Sequence, residues 1–160
     1  NLIFTFVAIY KVDSWGRKPL FIGGSMGMFA GLTLLGLTIY TQQMGVVSLI
    51  AVLVFIASFA MSMGPVVWVM LSEMFPNNVR SVAMSIAVAA QWLFNALVAN
   101  SFPVVNQSVL NQDSFNGALP YFIFASLCIV AMLFVWILVP ETKGKSLEEM
   151  EALWAVKDQG

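Results

Sequence analysis

The stretch that decides the fold runs from residue 64 to residue 80 and reads GPVVWVMLSEMFPNNVR. Gly64 and Pro65 break a long apolar run that also holds Trp68, and Glu73 and Arg80 bracket the turn at its end. In a membrane span, a break of this kind frees backbone groups that water cannot satisfy, so it is tolerated only against protein or a cavity. The stretch therefore predicts a broken membrane helix beside a binding site.

The composition of the whole chain is that of a membrane protein. Hydrophobic residues make up 60% and charged residues 9% of the 160 residues, whereas soluble domains carry about 25% charged residues. A net charge of −1 and the absence of a basic block give no indication of a nucleic-acid partner. Because the chain has no histidine, a histidine metal site and a Ser-His-Asp triad are excluded, and we expect no metal and no cofactor. The single cysteine, Cys128, is interpreted as a packing residue.

Four apolar runs are long enough to cross about 30 Å of hydrocarbon, which takes roughly 20 helical residues. We predict membrane spans at 19–40, 45–71, 80–102 and 119–139. The apolar run at 1–10 is too short to span a bilayer, and it lacks the basic start and the cleavage site of a signal peptide. We interpret it as the remnant of a cut helix, and the chain as a piece of a larger membrane protein.

Lysine and arginine alternate between the two ends of these spans. They occur in residues 11–18, at Arg80 and in the tail after residue 140, whereas 41–44 and 103–118 contain none. Because positively charged connections stay in the cytoplasm, we place 11–18, 72–80 and the tail 141–160 there, and the other two connections outside. In the tail, residues 146–149 read SLEE, a capping box that predicts a short amphipathic helix.

Three glycines, Gly23, Gly27 and Gly31, recur at every fourth residue of the first predicted span. Small residues with that spacing on one helix face allow a second helix to approach closely in lipid. We therefore expect tight helix packing along this face.

Two carboxamides of the third predicted span, Gln91 and Asn95, are one helical turn apart and share a face. A buried carboxamide is costly unless it is hydrogen-bonded, and it can both donate and accept. Its partner is either a polyhydroxyl ligand or a polar group on another helix. Trp68 leaves a similar choice open, because a flat apolar ring with one N–H donor suits a sugar and also suits core packing.

No charged residue lies inside the apolar body of a predicted span. Opposite charges at successive ends, such as Glu73 and Arg80, are either ion pairs that break and remake during a conformational change or surface pairs worth under about 1 kcal/mol each. An ionisable residue within the membrane usually carries proton coupling. If the protein is driven by protons, its titrating group is therefore expected outside this chain.

Four motifs, taken together, resemble the C-terminal part of the sugar porter family of the major facilitator superfamily. They are Asp13-x-x-Gly16-Arg17-Lys18, Gly64-Pro65-x-x-Trp68, Glu73-x-Phe75-Pro76-x-x-x-Arg80 and Pro140-Glu141-Thr142-Lys143-Gly144. Residues 87–93 (AVAAQWL) and 148–154 (EEMEALW) are most similar to bacterial xylose–proton symporters. The resemblance covers essentially the whole chain and implies an all-α polytopic membrane protein, from the end of span 8 through span 12 of a 12-span fold.

The resemblance also implies roles for individual residues. It assigns Trp68 and Gln91 to a central sugar site, with Gly64 and Trp92 near the sugar and Phe59 on an aromatic position that closes it. On a straight helix Phe59 would lie opposite Trp68, so its inclusion depends on the distortion at Pro65. A cytoplasmic charge network that holds the outward-facing state is expected at four positions: Asp13, Arg17, Glu73 and Arg80.

We therefore expect the protein to be a transporter and not an enzyme. The expected function is sugar–proton symport, with xylose or a related pentose or hexose, by alternating access in a bacterial inner membrane. The expected partners are the sugar, the proton, the lipid bilayer and the N-terminal half of the parent transporter. Two alternatives stay open: a sugar uniporter, and a truncated membrane fragment that transports nothing.

Overall fold

The computed structural model describes residues 1–75, 77–139 and 144, and over these residues the chain is helical without any strand. The helices follow one another along the chain with short connections. They are α1 (Leu2–Trp15), α2 (Arg17–Tyr40), α3 (Val46–Met61), α4 (Val66–Met74), α5 (Arg80–Asn106), α6 (Val109–Phe115) and α7 (Leu119–Leu138). Within this described part, four segments are long and apolar enough to cross a membrane: Arg17–Tyr40, Val46–Met74, Arg80–Asn106 and Leu119–Leu138. The chain is thus an all-α polytopic membrane protein.

The helix bounds differ from the expected spans in ways that have local causes. The expected span 45–71 is divided, because α3 ends at Met61 and α4 begins at Val66. The connection expected at 11–18 is mostly helical, because α1 continues to Trp15 and only Gly16 separates it from α2. Gly16 has φ +94°, a conformation that glycine adopts without the steric penalty of a side chain, so one residue suffices for the turn.

The connection expected at 103–118 is also largely helical. Helix α5 continues past the expected end at residue 102, through Pro103, to Asn106, and α6 follows at Val109–Phe115. The capping box expected at 146–149 and the tail helix lie outside the described residues.

Helix α2 forms the centre of the bundle and packs against both α3 and α7. Near the end of α2 that begins at Arg17, a cluster of buried apolar side chains joins α2 to α4 and α7. Its members are Leu20, Phe21, Val66, Met70, Val135 and Val139. Because α2 has 24 residues, it is about 36 Å long at 1.5 Å per residue, so Arg17 and Tyr40 lie at opposite ends of the span.

The glycines of α2 pack against α3, but the expected set is wrong at one position. A methyl group added at Gly24 or Gly27 would overlap Ser62 or Ser58, whereas one added at Gly23 would meet nothing within 4 Å. The contacting face is therefore formed by Gly24, Gly27 and Gly31. With 3.6 residues per turn, a step of three and then four residues stays on one face, whereas repeated steps of four drift around the helix.

Candidate functional site

The break between α3 and α4 has a defined backbone hydrogen-bond pattern. The carbonyl of Phe59 accepts from the N–H of Ser62 at 3.2 Å and from that of Gly64 at 3.0 Å. Pro65 has no N–H to donate, and regular helical bonding resumes when Val66 donates to the carbonyl of Ser62 at 2.9 Å. The side chain of Ser62 is fully buried and donates to the carbonyl of Ser58 at 2.7 Å. The polar backbone freed by the break is thus satisfied in part within the break itself.

Trp68 and Gly64 lie on either side of Pro65. Trp68 is in the first turn of α4 and is half-buried. A methyl group added at Gly64 would lie 3.4 Å from the carbonyl oxygen of Phe59 and 3.8 Å from its ring. Glycine at this position therefore lets the backbone of the break approach the end of α3.

Phe59 lines an apolar cavity of about 360 Å³ between α2, α3 and α7. Its ring stacks on that of Phe55, with the ring centroids 6.5 Å apart, and it is 41% exposed. The other lining residues are apolar except for one thiol: Met28, Leu32, Phe55, Met63, Phe124, Leu127, Cys128 and Ala131. Trp68 does not line this cavity. The structure therefore places Phe59 on a different surface from Trp68, although Phe59 contacts Gly64.

Gln91 and Trp92 lie on the exposed surface of α5. Helix α5 has no buried residue among its 27, and Trp92 is 67% exposed. Gln91 and Asn95 are both exposed as well, and neither lines the cavity that Phe59 lines. A span that presents carboxamides at membrane depth needs polar partners, so this face of α5 is suited to contact with protein or a polar ligand.

Arg17 is the centre of a charged cluster at the beginning of α2, and we call Asp13, Arg17 and Glu73 the Arg17 cluster. Its Nη2 atom lies 2.8 Å from Oε1 of Glu73 and 3.1 Å from Oδ1 of Asp13. The Arg17 side chain is 14% exposed, whereas those of Glu73 and Asp13 are 30% and 80% exposed. Since Glu73 belongs to α4 and Asp13 to α1, the cluster joins three helices.

Arg80 is placed differently from the other three residues expected in the charge network. Its Nε and Nη2 atoms both donate to the carbonyl of Phe75 at 3.3 Å, and no ion pair to it occurs in the part of the chain that the structure describes. Phe75 is extended, which turns its carbonyl out of the helical pattern and makes it available. The acid that brackets this turn, Glu73, pairs with Arg17 and not with Arg80.

A second polar cluster lies at the other end of the bundle, and it was not predicted from the sequence. Asn111 is fully buried, donates to the carbonyl of Asn106 at 2.8 Å and accepts from the N–H of Leu119 at 2.9 Å. Asn116 donates to the carbonyl of Tyr40 at 2.8 Å. Asn116 and Gly117 have φ values of +50° and +90°, and an Asn-Gly pair is a turn signal that the sequence displays.

Comparison with known proteins places the chain among sugar transporters. The family model described as "Sugar (and other) transporter" matches residues 1–154. The D-xylose-proton symporter of Escherichia coli (strain K12) is 51% identical over 154 residues, which are 96% of this chain and 31% of the symporter. The glucose facilitated diffusion protein of Zymomonas mobilis is 48% identical over 154 residues, which are 96% of this chain and 33% of that protein.

A solved structure agrees with this comparison. The proton:xylose symporter XylE, a major facilitator superfamily protein bound to 6-bromo-6-deoxy-D-glucose, matches the chain with a TM-score of 0.87 at 50% identity. The match covers 96% of this chain and 32% of that structure, so the chain spans about a third of the length of the relatives it matches. The chain belongs to the sugar transporter family of the major facilitator superfamily.

Proposed function

We propose that this chain is the C-terminal part of a secondary active transporter that carries a sugar, xylose or a related pentose or hexose, together with a proton. The observation that carries the proposal is the break at residues 62–65 with Trp68 beside it, in a chain that matches sugar transporters over residues 1–154. Broken spans near the bilayer midplane form substrate sites in many secondary transporters. Transport breaks no covalent bond of the sugar, so the proposed function is not enzymatic.

The proposed sugar site is built from both sides of the break and from α5. The indole of Trp68 offers a flat apolar face to the C–H surface of the sugar, and its N–H can donate to a hydroxyl. Gln91 supplies a carboxamide that both donates and accepts, and Trp92 follows it in the chain. Gly64 and Phe59 contact each other at the break, but the Phe59 ring lines a cavity that Trp68 does not line. Phe59 therefore joins the sugar site only if a change in the backbone at the break reorients its ring.

The remaining part of the site comes from outside this chain. The exposed face of α5 and the apolar cavity beside Phe59 are open in the described residues, and the chain spans about a third of its relatives. We assign these surfaces to contact with the rest of the parent transporter, which includes its N-terminal half. The Arg17 cluster then lies at the cytoplasmic end of the spans in the bacterial inner membrane. There the ion pair between Arg17 and Glu73 stabilises the outward-facing state, in which the cytoplasmic side is closed.

Proton coupling is the finer part of the proposal, and uniport is the second candidate. Among the relatives, one is named a D-xylose-proton symporter and another a glucose facilitated diffusion protein. Energised cells that express the complete transporter are expected to make the medium more alkaline when xylose is added, because each sugar then enters with a proton. Sugar uptake without any pH change would favour uniport.

The sugar site is tested by calorimetry on the complete transporter that contains this chain. Trp68→Ala and Gln91→Ala are each expected to weaken the binding of D-xylose or D-glucose about tenfold or more, because a lost contact with an unsatisfied partner is worth about 1–3 kcal/mol. Trp136→Ala, which removes an exposed indole from α7, and Gln43→Ala, at the end of the bundle near Tyr40, are the matched controls. Unchanged affinity in both site variants would rule out the proposed site.

A further inference from the structure

Helix α5 carries Gln91 and Trp92, so the contacts that orient α5 also orient these two side chains. The helix makes few contacts in the part of the chain that the structure describes. Near its far end, the ring of Phe102 stacks on that of Phe124 of α7, with the centroids 6.2 Å apart. The end of α5 at Asn106 lies about 22 Å from Gln91 along the helix axis, at 1.5 Å per residue. How this end is held therefore affects the direction of the helix that presents Gln91.

Asn111 of α6 connects the end of α5 to the beginning of α7. Its side chain is fully buried, and its Nδ2 atom donates to the carbonyl of Asn106, the last residue of α5, at 2.8 Å. Its Oδ1 atom accepts from the N–H of Leu119, the first residue of α7, at 2.9 Å. The last carbonyls and the first N–H groups of a helix have no partner within that helix. One buried carboxamide thus satisfies the ends of two helices at once.

The backbone of Asn111 is held as firmly as its side chain. Its N–H donates to Oγ of Ser108, the N-cap of α6, at 3.2 Å. Its carbonyl accepts from the N–H of Gly117, which follows α6, at 3.0 Å. Every polar atom of Asn111 therefore has a hydrogen-bond partner. Because a buried polar group that is fully satisfied has little freedom to move, Asn111 is a rigid connection between the two helices.

We propose that Asn111 is a positioning residue that fixes the end of α5 to the beginning of α7 and thereby sets the position of Gln91 and Trp92. The neighbouring side chain of Gln112 donates to the same Asn106 carbonyl at 2.9 Å, but it is exposed, so water competes with it. The link between the helices stands on the contacts of Asn111, whereas its effect on sugar binding rests on the proposed function. Because the two helix ends share one carboxamide, they are expected to move as a unit.

The test is amide hydrogen exchange in the complete transporter that contains this chain, followed at Leu119 and at residues 104–107. Asn111→Asp keeps the oxygen that accepts from Leu119, but it replaces the donor to Asn106 with a second oxygen. Exchange at 104–107 is therefore expected to become about fivefold faster, whereas Leu119 stays protected. Asn111→Leu, which has neither the donor nor the acceptor, is expected to speed exchange at both places.

The pH dependence of the Asn111→Asp variant separates loss of the donor from general damage to the fold. A protonated carboxyl can donate to the Asn106 carbonyl, so the difference from the unsubstituted transporter at 104–107 is expected to disappear as the pH is lowered. Asp113, which is exposed on α6, is present in both proteins, so its titration cancels. Asn100→Asp is the matched control, because the Asn100 side chain is exposed and donates within α5, and it is expected to change exchange at neither place.

Calorimetry with D-xylose or D-glucose tests the effect on the sugar site. Asn111→Asp is expected to weaken binding about fivefold, with little further loss when it is combined with Gln91→Ala, because a displaced Gln91 no longer makes its full contact. If Gln91→Ala alone leaves the affinity unchanged, the proposed site fails, and the exchange rates still decide the link between the helices. Equal acceleration at Leu119 and at 104–107 in Asn111→Asp, or no acceleration at 104–107 at any pH, would overturn that link. Additive losses of affinity would overturn the effect on the site.

Discussion

At the scale of single residues, Arg17 forms two ion pairs of similar length, and the burial of the carboxylate decides which pair contributes more to stability. Both carboxylates of its cluster lie within 3.1 Å of the same guanidinium nitrogen, but Asp13 is 80% exposed and Glu73 is 30% exposed. Water and salt screen an exposed pair strongly. The pair with Glu73 also bridges α2 and α4, which are distant in sequence, whereas Asp13 is only four residues from Arg17. The contact with Glu73 is therefore the one that holds two spans together.

We predict that Glu73→Gln lowers the stability of the complete transporter more than Asp13→Asn does. The Glu73 change leaves a mostly buried guanidinium without its closest charged partner, a loss of about 1–3 kcal/mol, whereas an exposed pair such as Asp13 with Arg17 contributes under about 1 kcal/mol. Thermal unfolding in detergent, followed by the loss of monodisperse protein, measures the difference. Equal shifts of the unfolding temperature in the two variants would contradict this ranking.

At the scale of the helices, α2 packs closely against its neighbours because glycines lie at its contacts. A methyl group at Gly31 would lie 2.9 Å from the carbonyl oxygen of Ala51 and 2.9 Å from the backbone nitrogen of Phe55, and one at Gly36 would lie 2.9 Å from the ring of Phe122. In lipid, helices associate through such close packing and not through the hydrophobic effect. The contacts with α3 and α7 thus depend on different glycines of the same helix.

We predict opposite effects of two alanine substitutions in α2. Gly31→Ala is expected to destabilise the complete transporter by about 1–3 kcal/mol, because the new methyl group meets backbone atoms that cannot rotate away. Gly23→Ala is expected to be neutral or slightly stabilising, since the space there is open and alanine favours a helix by up to about 1 kcal/mol. Unfolding temperatures of the two variants provide the comparison. A destabilising Gly23→Ala together with a neutral Gly31→Ala would refute the observed contact face.

At the scale of the whole molecule, polar contacts join the helices at both ends of the bundle, whereas one helix, α5, is left exposed. The Arg17 cluster and the bond from Lys18 to Trp136 join the helices at one end, and Asn111 and Asn116 join them at the other. Helix α5, in contrast, has no buried residue and makes few contacts with the other helices. Gln91 and Trp92 lie on this exposed helix, so this half of the proposed sugar site is not covered by any other helix that the structure describes.

We predict that these 160 residues alone transport no sugar. Liposomes that contain only this chain are expected to take up radiolabelled D-xylose no faster than protein-free liposomes, because α5 and Trp68 lack the second half of the site. The complete transporter in the same lipids is the positive control. Saturable uptake by the chain alone, blocked by excess unlabelled xylose, would show that the described helices suffice.

Sequence alone was enough for features that depend on local chemistry. The all-helical membrane fold was predicted from the length of the apolar runs and is confirmed. The interruption near Gly64 and Pro65 was visible because proline lacks an N–H, although its consequence, two separate helices, appears only in the structure. The family was likewise identified from short motifs, and the match over residues 1–154 confirms it.

Tertiary structure alone decided which distant residues meet. The pairing of Glu73 with Arg17 instead of Arg80, the contact face that uses Gly24 instead of Gly23, and the bond from Lys18 to Trp136 all depend on how helices far apart in sequence are rotated and crossed. Hydropathy and spacing determine that a segment crosses the membrane, because burial in lipid depends on its composition. They do not determine the rotation of a helix about its own axis, because that angle is set by packing and hydrogen bonding with its neighbours.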